Sequence, residues 1–182
     1  MPGVIGAAAS RMARRVDGLF SYERDSRAIK GELPSASRLK VKVVSAHQRV
    51  DMQGKPLVVF IVMCRFDETE WNVEKRFSQF FTLDQELSRL LGWDLSHFLP
   101  ELPRRSLFIV HNPEHIEQRR MQLDKYMNGL ARLAANGSSA FGGAKEEDLA
   151  AGMHVLHSLY KFVDFVNHVI PGEDSYLLLP DV

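Results

Sequence analysis

Three pairs of adjacent basic residues are the side chains of this sequence best suited to chemistry. The pairs are Lys75-Arg76, Arg104-Arg105 and Arg119-Arg120. Arginine presents planar N–H donors that bind phosphate in a bidentate manner, so such pairs suit the recognition of a phosphorylated ligand. Each pair alone is more often a solvated surface pair. Together they predict an anion site if the fold brings them to one place.

The net charge of the chain is zero, because 23 Lys and Arg residues balance 23 Asp and Glu residues among 182. A neutral chain does not coat nucleic acid through bulk electrostatics, so we expect no nucleic-acid partner. The single cysteine, Cys64, excludes an internal disulfide framework and a cysteine-rich zinc module. No segment has the roughly 18–20 consecutive apolar residues of a membrane-spanning helix, so we expect a soluble body.

Sequence motifs of enzymes are missing from the chain. It has no glycine-rich phosphate loop, no dinucleotide fingerprint and no nucleophile elbow. His111 and His115, and likewise His154 and His157, have helical spacing but no third ligand nearby, so we predict neither a metal site nor a cofactor. Cys64 lies in an apolar run typical of an inert core residue. We therefore expect a protein without catalytic activity. The alternative of a small hydrolase lacks support, because no Asp or His residues have the spacing of a catalytic site.

Three strands are predicted in the first half of the chain. Residues 39–44 alternate apolar and basic side chains, residues 57–64 form a β-branched apolar run, and residues 71–77 alternate again. The polar segments 53–56 and 67–70 are short enough to be turns. Consecutive strands joined by short turns predict an antiparallel meander.

Helical periodicity begins after the third predicted strand. Ser78 is predicted to cap a first helix that ends at Gly92, and residues 93–112 are predicted to form a long proline-rich loop. Asn112 is predicted to cap a second helix with Pro113 in its first turn. Its predicted apolar positions are Ile116, Met121, Leu123, Tyr126, Met127, Leu130 and Leu133.

The Gly- and Ser-rich residues 136–145 are predicted to be a flexible insertion, followed by a last helix over residues 146–170. The predicted apolar positions of this helix include Leu149 and Met153, and Pro171 with Gly172 ends it. Strands followed by helices predict an α+β fold in which a helical subdomain follows the meander, with the proline-rich loop between the first two helices.

The domain is predicted to span residues 37–171, between an extension at residues 1–36 and a tail at residues 172–182. Apolar residues between Val4 and Phe20 recur at helical spacing beside Arg11, Arg14 and Arg15, which predicts an amphipathic helix. An organelle transit segment, a helix on a membrane surface and a loosely held tail remain alternative interpretations of this extension.

Three motifs in order resemble the phox-homology (PX) family. KRFSQF at residues 75–80 resembles its basic-Arg-Tyr/Phe-Ser-x-Phe signature, and LPELPRR at residues 99–105 is similar to its proline-rich loop ending in a basic residue. RRMQLDKYM at residues 119–127 is similar to its helix with an arginine, a leucine four residues later and an aromatic residue seven later. The resemblance runs from about residue 39 to residue 170.

The resemblance implies a phosphoinositide-binding module that most often binds phosphatidylinositol 3-phosphate on endosomal membranes. It implies that Arg76 holds the 3-phosphate and that Phe77, in place of the usual Tyr, stacks beneath the inositol ring. It further implies that Arg105, in place of the usual Lys, contacts the 1-phosphate and that Arg119 binds the 4- and 5-hydroxyls. Lys75, Arg104 and Arg120 are then accessory basic residues. The chain departs from the family pattern at Glu101, where a second proline is common.

Four consecutive apolar residues follow the basic loop and suggest a second contact with the membrane. They are Leu107, Phe108, Ile109 and Val110. Either they belong to the core or some of them insert into the bilayer beside the headgroup. We expect a cytoplasmic protein that is peripheral on endosomal membranes and acts in trafficking or signalling. The alternative hypothesis is a PX-fold protein–protein interaction domain with weak or no lipid binding.

Overall fold

The computed structural model describes residues 36–105, 112–143 and 145–169, all within the unit Ser35–Pro171. The predicted amphipathic helix at residues 4–20 and the predicted tail at residues 172–182 lie outside these residues, and the predicted domain boundaries stay predictions. No helix in the described ranges has both the length and the apolar character that crossing a bilayer requires.

The first half of the domain is an antiparallel three-stranded sheet. Strand β1 spans Leu39–Val50, β2 spans Pro56–Phe66 and β3 spans Thr69–Arg76, in the spatial order β1-β2-β3. Alternating apolar side chains of the strands face the helices, since Val43, Val62 and Val73 are buried. The predicted meander and the α+β class are confirmed, although β1 is six residues longer than predicted (Val50 instead of Val44).

The first helix, α1, spans Phe77–Ser96 and not the predicted Ser78 to Gly92. Its N-cap residue is Arg76, so Ser78 as the cap is wrong: β3 stays extended up to Arg76, and Gln79 supplies the capping oxygen. At Gly92 the backbone leaves helical geometry, with φ 69° and ψ −177°, and then resumes a last helical turn. The predicted stop is therefore a kink, and the predicted loop begins four residues too early.

The second helix, α2, spans Pro113–Asn136, as the predicted start indicates. The side chain of Asn112 accepts hydrogen bonds from the backbone N–H of Glu114 at 2.9 Å and of His115 at 3.4 Å, which confirms the predicted cap. Two side chains of α2 bind the backbone of Val43 in β1, where the register between β1 and β2 shifts. Asp124 accepts from the N–H of Val43 at 2.8 Å, and Arg120 donates to its carbonyl oxygen. These bonds fix α2 on the sheet.

Residues 136–143 of the segment predicted to be a flexible insertion have defined secondary structure and turns instead. Residues Gly137–Phe141 form a 3₁₀ turn, in which Phe141 is buried and contacts the ring of Phe98 edge-on at 5.4 Å. Its backbone lies directly against Gly152 of the next helix, because a Cβ atom at that position would come within 2.6 Å of the carbonyl carbon of Gly137. The flexible insertion is thus wrong because glycine permits close backbone contact here as well as flexibility.

The last helix is interrupted. Helix α3 spans Glu146–Phe162, and a short α4 spans Phe165–Val169. The single helix predicted over residues 146–170 is wrong because Asp164 adopts φ 58° and turns the chain. This turn carries Phe165 into the core, where its ring stacks on Tyr160 at 4.0 Å.

The core lies between the sheet and the helices. Its largest fully buried side chains include Tyr126, Tyr160, Phe60, Phe80, Phe165 and Leu87. Three of the apolar positions that mark these helices lie outside the core, because Met121, Leu149 and Met153 are exposed on the outer faces of their helices. Helical spacing places residues on a face but does not tell how wide the covered part of that face is.

The close contact at Gly152 predicts that Gly152→Ala destabilises the domain. A Gly-to-Ala change inside a helix normally stabilises by about 0.5–1 kcal/mol. Here the added methyl group meets backbone atoms of Gly137 and Ser138 at 2.6–2.9 Å, so we expect a loss of about 1–3 kcal/mol in the free energy of unfolding. Urea denaturation measures it, with the exposed Met153→Ala as a control that stays within about 0.5 kcal/mol. A stabilised Gly152→Ala would contradict the close contact.

Two half-buried histidines on α3 predict a loss of stability in mild acid. Burial, and then the neighbouring His157, lower the pKa of His154; burial and then Lys161 lower the pKa of His157, which Glu86 partly offsets. The folded state therefore favours the neutral rings, so stability is present above the unfolded pKa of about 6.5 and falls as the pH decreases through and below it. The urea midpoint of the wild type should drop more between about pH 7.5 and 5.5 than that of His154→Gln/His157→Gln. Equal drops would contradict this.

Candidate anion-binding site

The junction between β3 and α1 places Arg76 at a helix N-terminus. Its backbone N–H donates to Oε1 of Gln79 at 2.8 Å, and its side chain is exposed. The first turn of α1 contains no acidic residue. The positive end of the helix dipole and its first free N–H groups thus lie beside an arginine, which favours an anion at this place.

Arg119 of α2 is the buried member of the predicted set. Only 7% of it is exposed, and its guanidinium carbon lies 4.2 Å from the centroid of the Phe77 ring. Its Nη2 donates to the carbonyl oxygen of Arg104 at 2.7 Å. Burial lowers the pKa of this guanidinium, although an arginine in a protein remains charged. A single side chain therefore connects α2, the start of α1 and the proline-rich loop.

The side chain of Arg105, which comes from the proline-rich loop, contacts α1 next to Arg119. Its guanidinium carbon lies 4.1 Å from the centroid of the Phe81 ring. Phe77 and Phe81 are four residues apart and share one face of α1. The rings therefore hold Arg105 and Arg119 side by side on that face through cation–π contacts. Phe81 was not predicted as a site residue, and its spacing from Phe77 is the signal that could have identified it.

The arginine cluster, defined here as Arg76, Arg105 and Arg119, has unneutralised charge. Within the described ranges, no carboxylate oxygen lies within 4 Å of its guanidinium groups, whereas three other arginines have such partners. The paired arginines are Arg38 with Asp67, Arg49 with Glu74 and Arg120 with Glu117. A buried cation without a counter-ion is costly, so the cluster is poised to accept an anion.

The accessory residues lie elsewhere. Successive residues of a strand point to opposite faces, so Lys75 faces the core side, where its Nζ lies 4.9 Å from the centroid of Phe162. Burial lowers its pKa, and Asp164 partly offsets this. Arg120 binds Glu117 and the carbonyl oxygen of Val43, so it anchors α2 to the sheet. The structure does not bring Lys75 and Arg120 to the arginine cluster.

Arg104 contributes its backbone to the cluster. Its carbonyl oxygen accepts from Arg119, while its side chain is exposed and lines a groove of about 980 Å³ between the proline-rich loop and α2. Arg119 also lines this groove, whereas Arg76, Phe77 and Arg105 are not among its described lining residues. The candidate membrane-insertion residues Leu107, Phe108, Ile109 and Val110 lie outside the described residues.

The described residues contain no group of three or more His, Cys, Asp or Glu side chains that could hold a metal ion. Cys64 is buried in β2, and desolvation raises the pKa of its thiol to about 12, which suppresses the reactive thiolate. The arginine cluster therefore stands as the candidate site in the part of the chain that the structure describes.

Comparison with known proteins identifies a domain family. The sequence matches the PX domain family over residues 64–139. This segment begins in β2 and ends in the 3₁₀ turn, so it includes all three members of the arginine cluster. The resemblance predicted from the three motifs is confirmed.

Two solved structures are similar to this chain. A designed CISK-PX domain has 19% sequence identity and a TM-score of 0.46, and the alignment covers 61% of this chain and 95% of that chain. The mouse SNX19 PX domain with bound sulphate ion has 15% identity and a TM-score of 0.42, with 69% of this chain and 96% of that chain covered. No curated protein matches the sequence.

Proposed function

We propose that this chain, whose residues 64–139 match the PX domain family, is a non-catalytic module that binds phosphatidylinositol 3-phosphate and recruits the protein to endosomal membranes. PX domains generally bind phosphoinositides. The preference for the 3-phosphate, the endosomal location and a role in trafficking or signalling are parts of the proposal.

The observation that carries the proposal is the environment of Arg119. The residue is only 7% exposed, and its guanidinium rests on Phe77 and has no carboxylate partner among the described residues. A phosphorylated ring bound here gains charge-assisted hydrogen bonds from a donor whose desolvation cost is already largely met by the fold. The two exposed arginines of the cluster then supply the remaining charge.

Each member of the cluster has a role in the proposal. Arg76, beside the N-terminus of α1, holds the 3-phosphate, and Arg105 holds the 1-phosphate that links the ring to the lipid. Arg119 binds the 4- and 5-hydroxyls and so disfavours headgroups that are phosphorylated there. Since its guanidinium covers one face of Phe77, the inositol ring must stack on the other face or edge of that ring, or displace Arg119.

Sedimentation with lipid vesicles tests the proposal. Vesicles of phosphatidylcholine with phosphatidylinositol 3-phosphate should carry the protein into the pellet, whereas vesicles with unphosphorylated phosphatidylinositol should leave it in solution. Vesicles with the 4-phosphate or the 4,5-bisphosphate provide the comparison for specificity. Failure to pellet with any phosphoinositide would contradict the proposed function and would favour a protein-interaction domain of the same fold.

A further inference from the structure

A long groove extends from Arg119 along α2, and the proposed headgroup contacts do not assign a ligand to most of it. The groove has a volume of about 980 Å³ between α2 and the proline-rich loop. Of the arginine cluster, Arg119 lines one end of it, whereas Arg76 and Arg105 are not among its described lining residues. The part of the groove beyond Arg119 can therefore bind a ligand other than the inositol headgroup.

The wall of the groove is fixed in place. Pro100 is seated on Gly129 of α2 so closely that a Cβ atom at this glycine would lie 2.7 Å from the Cβ of Pro100. Pro100 and Pro103 both restrict the backbone of the loop. Because the backbone of the groove is formed in advance, binding does not require the ordering of that backbone, and the remaining ordering cost falls on the ligand and the exposed side chains.

The floor of the groove is one face of α2. Gln118, Gln122, Lys125, Gly129 and Arg132 line it and follow each other at intervals of three or four residues, which is the spacing of a single helical face. At 1.5 Å per residue, the face from the first to the last of them is about 20 Å long. This length matches about six residues of an extended peptide.

The charge of the groove is predominantly positive. Arg104, Lys125 and Arg132 line it with exposed side chains, and within the described ranges no carboxylate oxygen lies within 4 Å of their charged nitrogen atoms. Glu101 is the acidic residue among the described lining residues. Leu102 adds an apolar contact on the loop side. The lining thus combines cations, apolar surface and the amides of glutamines that can pair with a peptide backbone.

We propose that this groove binds an extended acidic peptide from a partner protein. Carboxylates of the peptide face Lys125 and Arg132, an apolar residue of the peptide contacts Leu102, and Gln118 and Gln122 pair with its backbone. A recessed channel between a loop and a helix suits one extended chain, whereas a flat bilayer cannot fill it. Glu101 disfavours acidic residues at the loop end and so sets the direction or composition of the peptide.

Titration of the isotope-labelled 182-residue chain with a random copolymer of glutamate and tyrosine tests this proposal by NMR. Saturable shifts are expected at the backbone amides of Lys125, Gly129 and Arg132. The double change Lys125→Glu/Arg132→Glu should weaken the affinity by about tenfold or more, and Glu101→Gln should strengthen it by about threefold, because both act through charge complementarity.

A control with the same change in net charge is available. Lys55→Glu/Arg89→Glu alters two exposed cations outside the groove and should keep the affinity for the copolymer within about twofold. Equal weakening by both double variants, shifts confined to Arg76 and Phe77, or no saturable binding would overturn the proposal. Groove shifts with phosphatidylserine vesicles but not with the copolymer would also overturn it, in favour of a lipid.

Phosphoinositide binding is measured in a separate vesicle experiment. The variant Lys125→Glu/Arg132→Glu should sediment with phosphatidylinositol 3-phosphate vesicles within about twofold of the wild type, since neither residue belongs to the arginine cluster. Loss of vesicle binding together with copolymer binding would show one shared anion site and would overturn the proposal of a second. If the wild type bound the copolymer but no phosphoinositide vesicles, the proposed function would be contradicted and the proposal of a peptide-binding groove would still hold.

Discussion

Arg76→Ala is expected to abolish sedimentation with phosphatidylinositol 3-phosphate vesicles and to leave the urea midpoint of the protein unchanged. The side chain is exposed, and its contribution to capping α1 comes from its backbone N–H, so the fold does not depend on the guanidinium. Loss of one bidentate, charge-assisted contact to phosphate costs roughly 1.5–3 kcal/mol, which corresponds to about 10- to 150-fold in affinity. Vesicle sedimentation over a range of lipid concentrations measures the change.

Arg89→Ala is the matched control for this result. Arg89 is exposed on the same helix, about 18 Å along α1 from its start at the helical rise of 1.5 Å per residue. Both variants remove one positive charge, so a bulk electrostatic effect weakens them equally. Vesicle binding by Arg76→Ala at the level of Arg89→Ala would contradict the assignment of the 3-phosphate to Arg76.

Arg119→Met is also expected to abolish vesicle binding, while it changes the stability of the free protein by less than about 1 kcal/mol. Methionine has a similar length and keeps the contact with the ring of Phe77, and it removes a buried cation that has no carboxylate partner among the described residues. Replacing a buried charge by an apolar side chain of similar volume commonly stabilises a protein by about 1 kcal/mol, and here the lost hydrogen bond to the carbonyl oxygen of Arg104 offsets that gain. Urea denaturation and vesicle sedimentation measure the two effects on the same sample.

Arg119→Lys separates charge from shape at this position. Lysine keeps the positive charge but lacks the planar fork that donates to both the carbonyl oxygen of Arg104 and a ligand. We expect weak residual binding. A loss of more than about 2 kcal/mol in Arg119→Met would show that the guanidinium supports the fold, and undiminished lipid binding would remove Arg119 from the site.

The strands and the start of α2 could be predicted because local patterns determine them. Alternation identifies β1, and Asn112 followed by Pro113 identifies the start of α2, since both signals involve neighbouring residues. The ordered segment at Gly137 and the break at Asp164 could not be predicted in this way. Both depend on distant contacts: the first on the backbone fit at Gly152, and the second on the insertion of Phe165 between β2 and α3.

The internal geometry of the arginine cluster could not be predicted from the sequence. The motifs singled out Arg76, Arg105 and Arg119 without showing that two of them rest on aromatic rings of α1. Strand alternation already separates Arg76 from Lys75, so this signal was available in the sequence. The role of Arg120 was not available, because its bond to the carbonyl oxygen of Val43 joins residues that are 77 positions apart.

The position of a bound headgroup tests the central claim most directly. A crystal structure with a soluble short-chain phosphatidylinositol 3-phosphate should place the 3-phosphate within hydrogen-bonding distance of Arg76 and the ring hydroxyls beside Arg119, with Arg105 at the 1-phosphate. A headgroup in the groove beside Lys125 and Arg132, with the arginine cluster unoccupied, would contradict the account.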